Sequence, residues 1–128
     1  MAVDGINVIN DLKSKKKWED LLVPQWLIDK LTGPPVCFTK PSIIQARSIP
    51  PIMDREEKRN YIFQSSNGSG KTGAFVIPAI MTVDPNINAY QILIVGHVRE
   101  LNRQIYQFLE TLLKDTPIKA YLAADQKT

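Results

Sequence analysis

The sequence predicts an α/β fold in which a parallel sheet is flanked by helices. Two observations carry this. Short apolar runs at 60–64 ("NYIFQ"), 90–95 ("YQILIV") and 118–123 ("IKAYLA") alternate with stretches of helical length. A glycine-rich turn, "SSNGSGKTG" at 65–73, sits between the first run and a helical stretch. Each apolar run is expected to be a short buried strand.

The helices follow in order. Pro24 is placed to open one that turns Trp26, Leu27 and Leu31 inward and stops at Gly33-Pro34-Pro35. Pro41 precedes a short helix over 42–47, with Pro50-Pro51 close behind. Residues 54–59 ("DREEKR") read as a charged surface turn and 84–89 ("DPNINA") as a loop. The pattern predicts helices from about Lys71 to Met81 and over 99–114, the latter with Leu101, Ile105, Phe108, Leu109 and Leu112 on one face.

At 128 residues the chain is long enough for one core of its own, and 44% hydrophobic with 23% charged residues is a globular balance. Its apolar runs are too short to cross a bilayer, so no membrane insertion is expected. A single cysteine, Cys37, allows no internal disulfide and fits cytosol or nucleus. The net charge of +3 permits nucleic acid without requiring it. Residues 1–17 end in "KSKKK" and read as a basic, partly disordered leader, with an RNA-touching arm or nuclear-import signal as alternatives.

A strand, a glycine-rich turn and a helix opening with Lys-Thr form a phosphate cradle. Gly68 and Gly70 let the backbone N–H groups of 67–72 converge, including those of Asn67 and Ser69. The helix start adds N–H donors and a positive dipole end. Lys71 is placed for the β- and γ-phosphates of ATP or ADP, and the Thr72 hydroxyl for Mg²⁺. The strict pattern asks for glycine at the place of Ser65. A flexible turn with a chance Gly-Lys-Thr is the plainer alternative, but it leaves the flanking strand and helix patterns unexplained.

"SSNGSGKT" resembles motif I of the DEAD-box RNA helicases, which usually has alanine at the Ser65 place. "CFTKPSIIQ" at 37–45 resembles the family's adenine-reading Q motif, with Phe38, Pro41, Ser42 and Gln45 in step. Trp18 takes the place of the isolated upstream aromatic. "GHVRELNRQ" at 96–104 resembles motif Ia, with Arg99, Glu100, Leu101 and Gln104 in step. The resemblance spans about residues 18–125 and implies that 18–128 is the N-terminal portion of a first RecA-like domain. It further implies adenine reading by Gln45, base stacking by Phe38 and RNA-phosphate binding by Arg99. "WEDLLVPQWLIDKL" and "KPSIIQARSIP" look most like the nuclear mRNA-export helicases that work at the cytoplasmic face of the nuclear pore. That implies nucleus or cytoplasm, including the nuclear envelope at the pore, and pore or export factors as partners.

The chain also departs from the pattern. His97 stands where proline is usual and reads as a loop residue; Val98 stands where threonine is usual and has no hydroxyl to offer a phosphate. Cys37 replaces a usual glycine and is read as a packing residue. Ser66, Asn67 and Gly73 vary within motif I. No Asp-Glu-Ala-Asp or Ser-Ala-Thr motif occurs in the 128 residues, and neither does a second RecA-like domain. Phosphoryl transfer rests on positioning and charge stabilisation, so a truncated RecA-like unit with only Lys71 and Thr72 of a catalytic set is expected to bind nucleotide without useful turnover. RNA binding is expected to be weak for the same reason. Two classes stay open: part of an ATP-dependent RNA helicase, or an inactive module binding adenine nucleotide or a partner. A different P-loop ATPase is a weaker third, because it leaves Phe38 to Gln45 unexplained.

Overall fold

A computed structural model describes residues 16–54, 56, 59–66 and 70–123. It holds a short 3₁₀ turn, Trp18–Leu21, and four helices: α1 (Gln25–Thr32), α2 (Ile43–Met53), α3 (Lys71–Thr82) and α4 (Arg99–Leu113). None of the described helices is long and apolar enough to cross a membrane. The leader up to residue 15 lies outside the described residues, as do 67–69 of the glycine-rich turn.

Local signals explain the helix starts. Pro24, with φ −66°, leads into α1, whose first turn needs no N–H from it. Ser42 caps α2: its hydroxyl accepts from the Gln45 N–H at 3.3 Å, and the Gln45 Oε1 accepts from the Ser42 N–H at 2.9 Å. Gly70, at φ +90°, turns the chain into α3 in a left-handed conformation that a side chain would resist.

Two helix expectations need correction. On α1 the inward residues are Leu27, Ile28 and Leu31, while Trp26 is 38% exposed. Positions 27, 28 and 31 share one helical face, and 26 falls off it. Helix α2 does not stop near residue 47 but runs through Pro50 and Pro51 to Met53. The prolines remove only two donors close to the helix end, and burial of Ser48 and Ile49 against α3 outweighs that loss.

The three apolar runs also differ from expectation. Segments 60–66, 90–96 and 118–122 are non-helical, but no strand ladder forms among the described residues. Nor are these runs buried: Ile62 is 73% exposed, Leu93 88% and Val95 82%. A parallel strand is stable only with neighbours along its edges and helices over its faces. Only Ile94, Ile118 and Ala120 of these runs pack against the core.

The core is therefore helical. Trp18, Leu27, Leu31, Ile49, Ile77 and Leu112 are fully buried within it, each burial worth about 1.5–3 kcal/mol for a large aliphatic side chain. Helix α4 contributes Ile105 and Leu112, with Leu101, Phe108 and Leu109 half-buried beside them, as its apolar spacing predicts. Lys30 Nζ on α1 donates to the Lys114 carbonyl at 2.7 Å, placing positive charge at the C-terminal end of α4.

Cys37 is not a packing residue. It is exposed, and its φ of +55° lies in the left-handed region. Its N–H closes a turn onto the Gly33 carbonyl at 2.9 Å. Cys37→Gly is expected to stabilise the chain by about 1 kcal/mol, since the backbone strain of a Cβ there is removed. Urea unfolding checks this; a lower midpoint for the variant would refute it.

Candidate nucleotide site

The site is built where α2 meets the start of α3, the helix pair with the most extensive packing in the chain. Gln45, at 2% exposure, lies between them. Its Oε1 holds the α2 cap, and its Nε2 donates to the Gly70 carbonyl at 3.1 Å. One N–H and one oxygen lone pair of the amide remain beyond these two bonds. Gly70 and Gly73 make room for this amide. A Cβ at Gly70 would lie 2.7 Å from Gln45 Nε2 and 2.8 Å from Ser42 Oγ, and one at Gly73 would clash with the same nitrogen. The glycines of this turn therefore admit the side chain of α2 as well as permitting a tight bend.

Lys71 and Thr72 form the first turn of α3, directly beyond Gly70. Lys71 is exposed and Thr72 half-buried. The N-cap of α3 is Gly70, which has no side chain to cap it, and a helix N-terminus of this kind suits phosphate. Of the predicted phosphate cradle, Asn67, Gly68 and Ser69 lie outside the described residues.

Other predicted site residues lie elsewhere. Trp18 is buried, and its Nε1 donates to the Phe38 carbonyl at 2.8 Å, so it fixes the backbone beneath Phe38. The Phe38 ring is 37% exposed and meets Phe108 of α4 at 6.0 Å between centroids. It borders an open groove of about 400 Å³ between the 35–38 segment and α4, where Gln104 and Gln107 also line the wall. The structure thus joins Gln45 to Gly70, and through it to Lys71 and Thr72, while the Phe38 ring packs on α4. Arg99 is the first residue of α4 and is exposed; His97 is exposed in the bend before it.

Val98 is the N-cap of α4, in extended conformation and without a side-chain bond to the helix. A hydroxyl at that place would accept from a first-turn N–H. Val98→Thr is expected to stabilise the chain by about 1 kcal/mol. A thermal-melting comparison checks this, and an unchanged midpoint would count against it.

Sequence reasoning missed Ser48. It is fully buried, and its hydroxyl donates to the Ala74 carbonyl of α3 at 2.8 Å. Two signals were legible: a serine three residues after Gln45, on the same helical face, and Pro78 four residues after Ala74.

A helix that opens with Lys-Thr behind a left-handed glycine, its start joined to the glutamine of a preceding helix, defines a phosphate-loop type of chain. The family model of the DEAD/DEAH box helicases matches residues 42–128, and the chain belongs to that family. Membership implies a RecA-like domain. The chain is similar to the ATP-dependent RNA helicase DBP5 of Yarrowia lipolytica, 36% identical over 117 residues that cover 91% of this chain and 23% of that protein. It is also similar to the DEAD-box ATP-dependent RNA helicase 38 of Arabidopsis thaliana, 43% identical over 71% of this chain and 18% of the relative. A third similarity is to the eukaryotic initiation factor 4A of Cryptosporidium parvum, 46% identical over 53% of this chain and 16% of that protein. The chain thus spans about a quarter or less of the relatives it matches.

Proposed function

We propose that this chain is the nucleotide-binding N-terminal part of the first RecA-like domain of an ATP-dependent RNA helicase. The observation that carries the reading is the bond from Gln45 Nε2 to the Gly70 carbonyl, which holds a glutamine amide at the exit of the phosphate turn. The remaining N–H and lone pair of that amide match the adjacent acceptor and donor on adenine, an edge that guanine presents differently.

Within this reading the backbone of 67–72 and Lys71 hold the phosphates, and Thr72 offers an oxygen to Mg²⁺. Among the described residues no group of three His, Cys, Asp or Glu gathers to hold a metal. Bound ATP supplies a γ-phosphoryl whose transfer needs a clamped charge and an oriented water. Lys71 and Thr72 provide part of the clamp only, so the chain by itself binds nucleotide without useful turnover. Arg99 meets an RNA phosphate as a charged, forked donor, whereas stacking of Phe38 on the base requires its ring, which packs on Phe108, to turn toward the nucleotide. Segments 60–64, 90–95 and 118–123 become parallel strands when further strands and helices of the domain cover them, and their exposed Ile62, Leu93 and Val95 support this. Similarity to proteins named ATP-dependent RNA helicase DBP5 supports an RNA-helicase parent; its action in mRNA export or RNA remodelling, in nucleus and cytoplasm and at the pore, with export factors and a second RecA-like domain as partners, rests on the sequence resemblance to the mRNA-export helicases.

Calorimetry with ATP and GTP tests the reading. ATP is expected to bind in preference, with the preference lost in Gln45→Ala. Equal binding of GTP by the unaltered chain would assign it to another kind of phosphate-loop protein. A phosphate-release assay with and without RNA, run beside Lys71→Ala, separates enzyme from module. RNA-stimulated release that vanishes in that control would show a working ATPase.

A further inference from the structure

Pro78 removes a backbone donor from the middle of α3. In an unbroken helix the N–H of residue 78 would satisfy the carbonyl of Ala74, four residues back. Ala74 and Pro78 are both buried, so water is kept from that carbonyl. The Ser48 hydroxyl takes the place of the missing donor, reaching the Ala74 oxygen at 2.8 Å. The carbonyl of Gln45, on Ser48's own helix, is its more distant neighbour at 3.3 Å.

This bond is in register with the one made by Gln45. One turn nearer the phosphate turn, Gln45 Nε2 donates to the Gly70 carbonyl at 3.1 Å. Gln45 and Ser48 are a turn apart on α2, as Gly70 and Ala74 are on α3. The two helices are thus pinned at two successive levels, and the inner pin determines where the outer one falls.

We propose that Ser48 is a positioning residue for the candidate nucleotide site. It holds α2 against α3 so that the Gln45 amide stays beside Gly70, Lys71 and Thr72. The ligand in this inference rests on the nucleotide reading above; the two hydrogen bonds do not.

The test separates a merely structural role from a positioning one. Pro78→Ala restores the N–H of residue 78, so the Ala74 carbonyl is satisfied without Ser48, but it does not restore the bridge between helices. The 128-residue chain is compared with Ser48→Ala, Pro78→Ala and the double variant. Thermal melting is read alongside calorimetry with ATP, GTP and inorganic tripolyphosphate. Ser48→Ala is expected to lower the melting midpoint and to reduce the ATP-to-GTP affinity ratio about tenfold, with tripolyphosphate binding changed less than about twofold. The double variant is expected to regain the midpoint but keep the reduced ratio. An unchanged ratio in Ser48→Ala, or a ratio restored in the double variant, overturns the proposal. Should Ser48→Ala fail to fold, the double variant against Pro78→Ala decides the same question. Should the unaltered chain bind no ATP, the nucleotide reading falls, and hydrogen exchange at the Ala74 amide, which donates to the Gly70 carbonyl at 3.2 Å, decides the positioning. Faster exchange in the double variant than in Pro78→Ala supports it, and equal exchange overturns it.

Discussion

Lys71→Ala is expected to weaken ATP binding by about tenfold to a hundredfold in calorimetry, while leaving thermal stability within about 0.5 kcal/mol. Lys71 is exposed at the first position of α3, so its removal opens no cavity. What it removes is a charge at the N-terminus of α3. Charge-assisted bonds to phosphate are stronger than neutral ones, and the neighbouring backbone donors do not replace an ammonium group. The loss is expected to be larger for ATP than for adenosine, which has no phosphate to meet Lys71. Equal loss for both ligands, or unchanged ATP affinity, would remove Lys71 from the phosphate site.

Gly70→Ala is expected to lower stability by about 2–5 kcal/mol. Two independent terms add. The φ of +90° is left-handed, where a residue with a Cβ is strained by about 1–2 kcal/mol. The added Cβ would also lie 2.7 Å from Gln45 Nε2 and 2.8 Å from Ser42 Oγ, closer than nonbonded atoms approach. Relief requires Gln45 or the α2 cap to move, at an overpacking cost of about 1–3 kcal/mol. Urea unfolding checks the stability. A loss below about 0.5 kcal/mol would mean that the turn adopts another conformation, and the close approach of Gln45 to the phosphate turn would fall with it.

The same residues show how far the sequence could be read. Helices α3 and α4 were legible because their signals are local. Gly70 ends the turn, Lys71 begins the helix, and the apolar residues of α4 recur at helical spacing down to Leu112. Motif order and spacing were enough to indicate the family, which the match over residues 42–128 establishes. Gln45 was read as an adenine-reading residue beside the phosphate turn; that its amide is buried between two helices and bonded to the Gly70 carbonyl was not legible.

Trp26 and Ile28 make the contrast on α1. Both are large and apolar, but only Ile28 shares a helical face with Leu27 and Leu31. That face packs into the core, which buries Ile28 and leaves Trp26 at the surface. Pro50 and Pro51 predict an early stop to α2, and the packing of Ser48 and Ile49 carries the helix past them. The apolar runs at 60–64, 90–95 and 118–123 have the composition of strands, yet a strand is defined by its partner and not by its own residues. By itself, then, the sequence determined the helix starts, the Gly70 turn and the family, because those depend on residues within a few positions of one another. The tertiary structure alone decided the Gln45–Gly70 and Ser48–Ala74 bonds, which join residues 25 and 26 positions apart. Such bonds exist only once two helices have packed, and their partners are backbone carbonyls, which every residue has and no sequence pattern singles out.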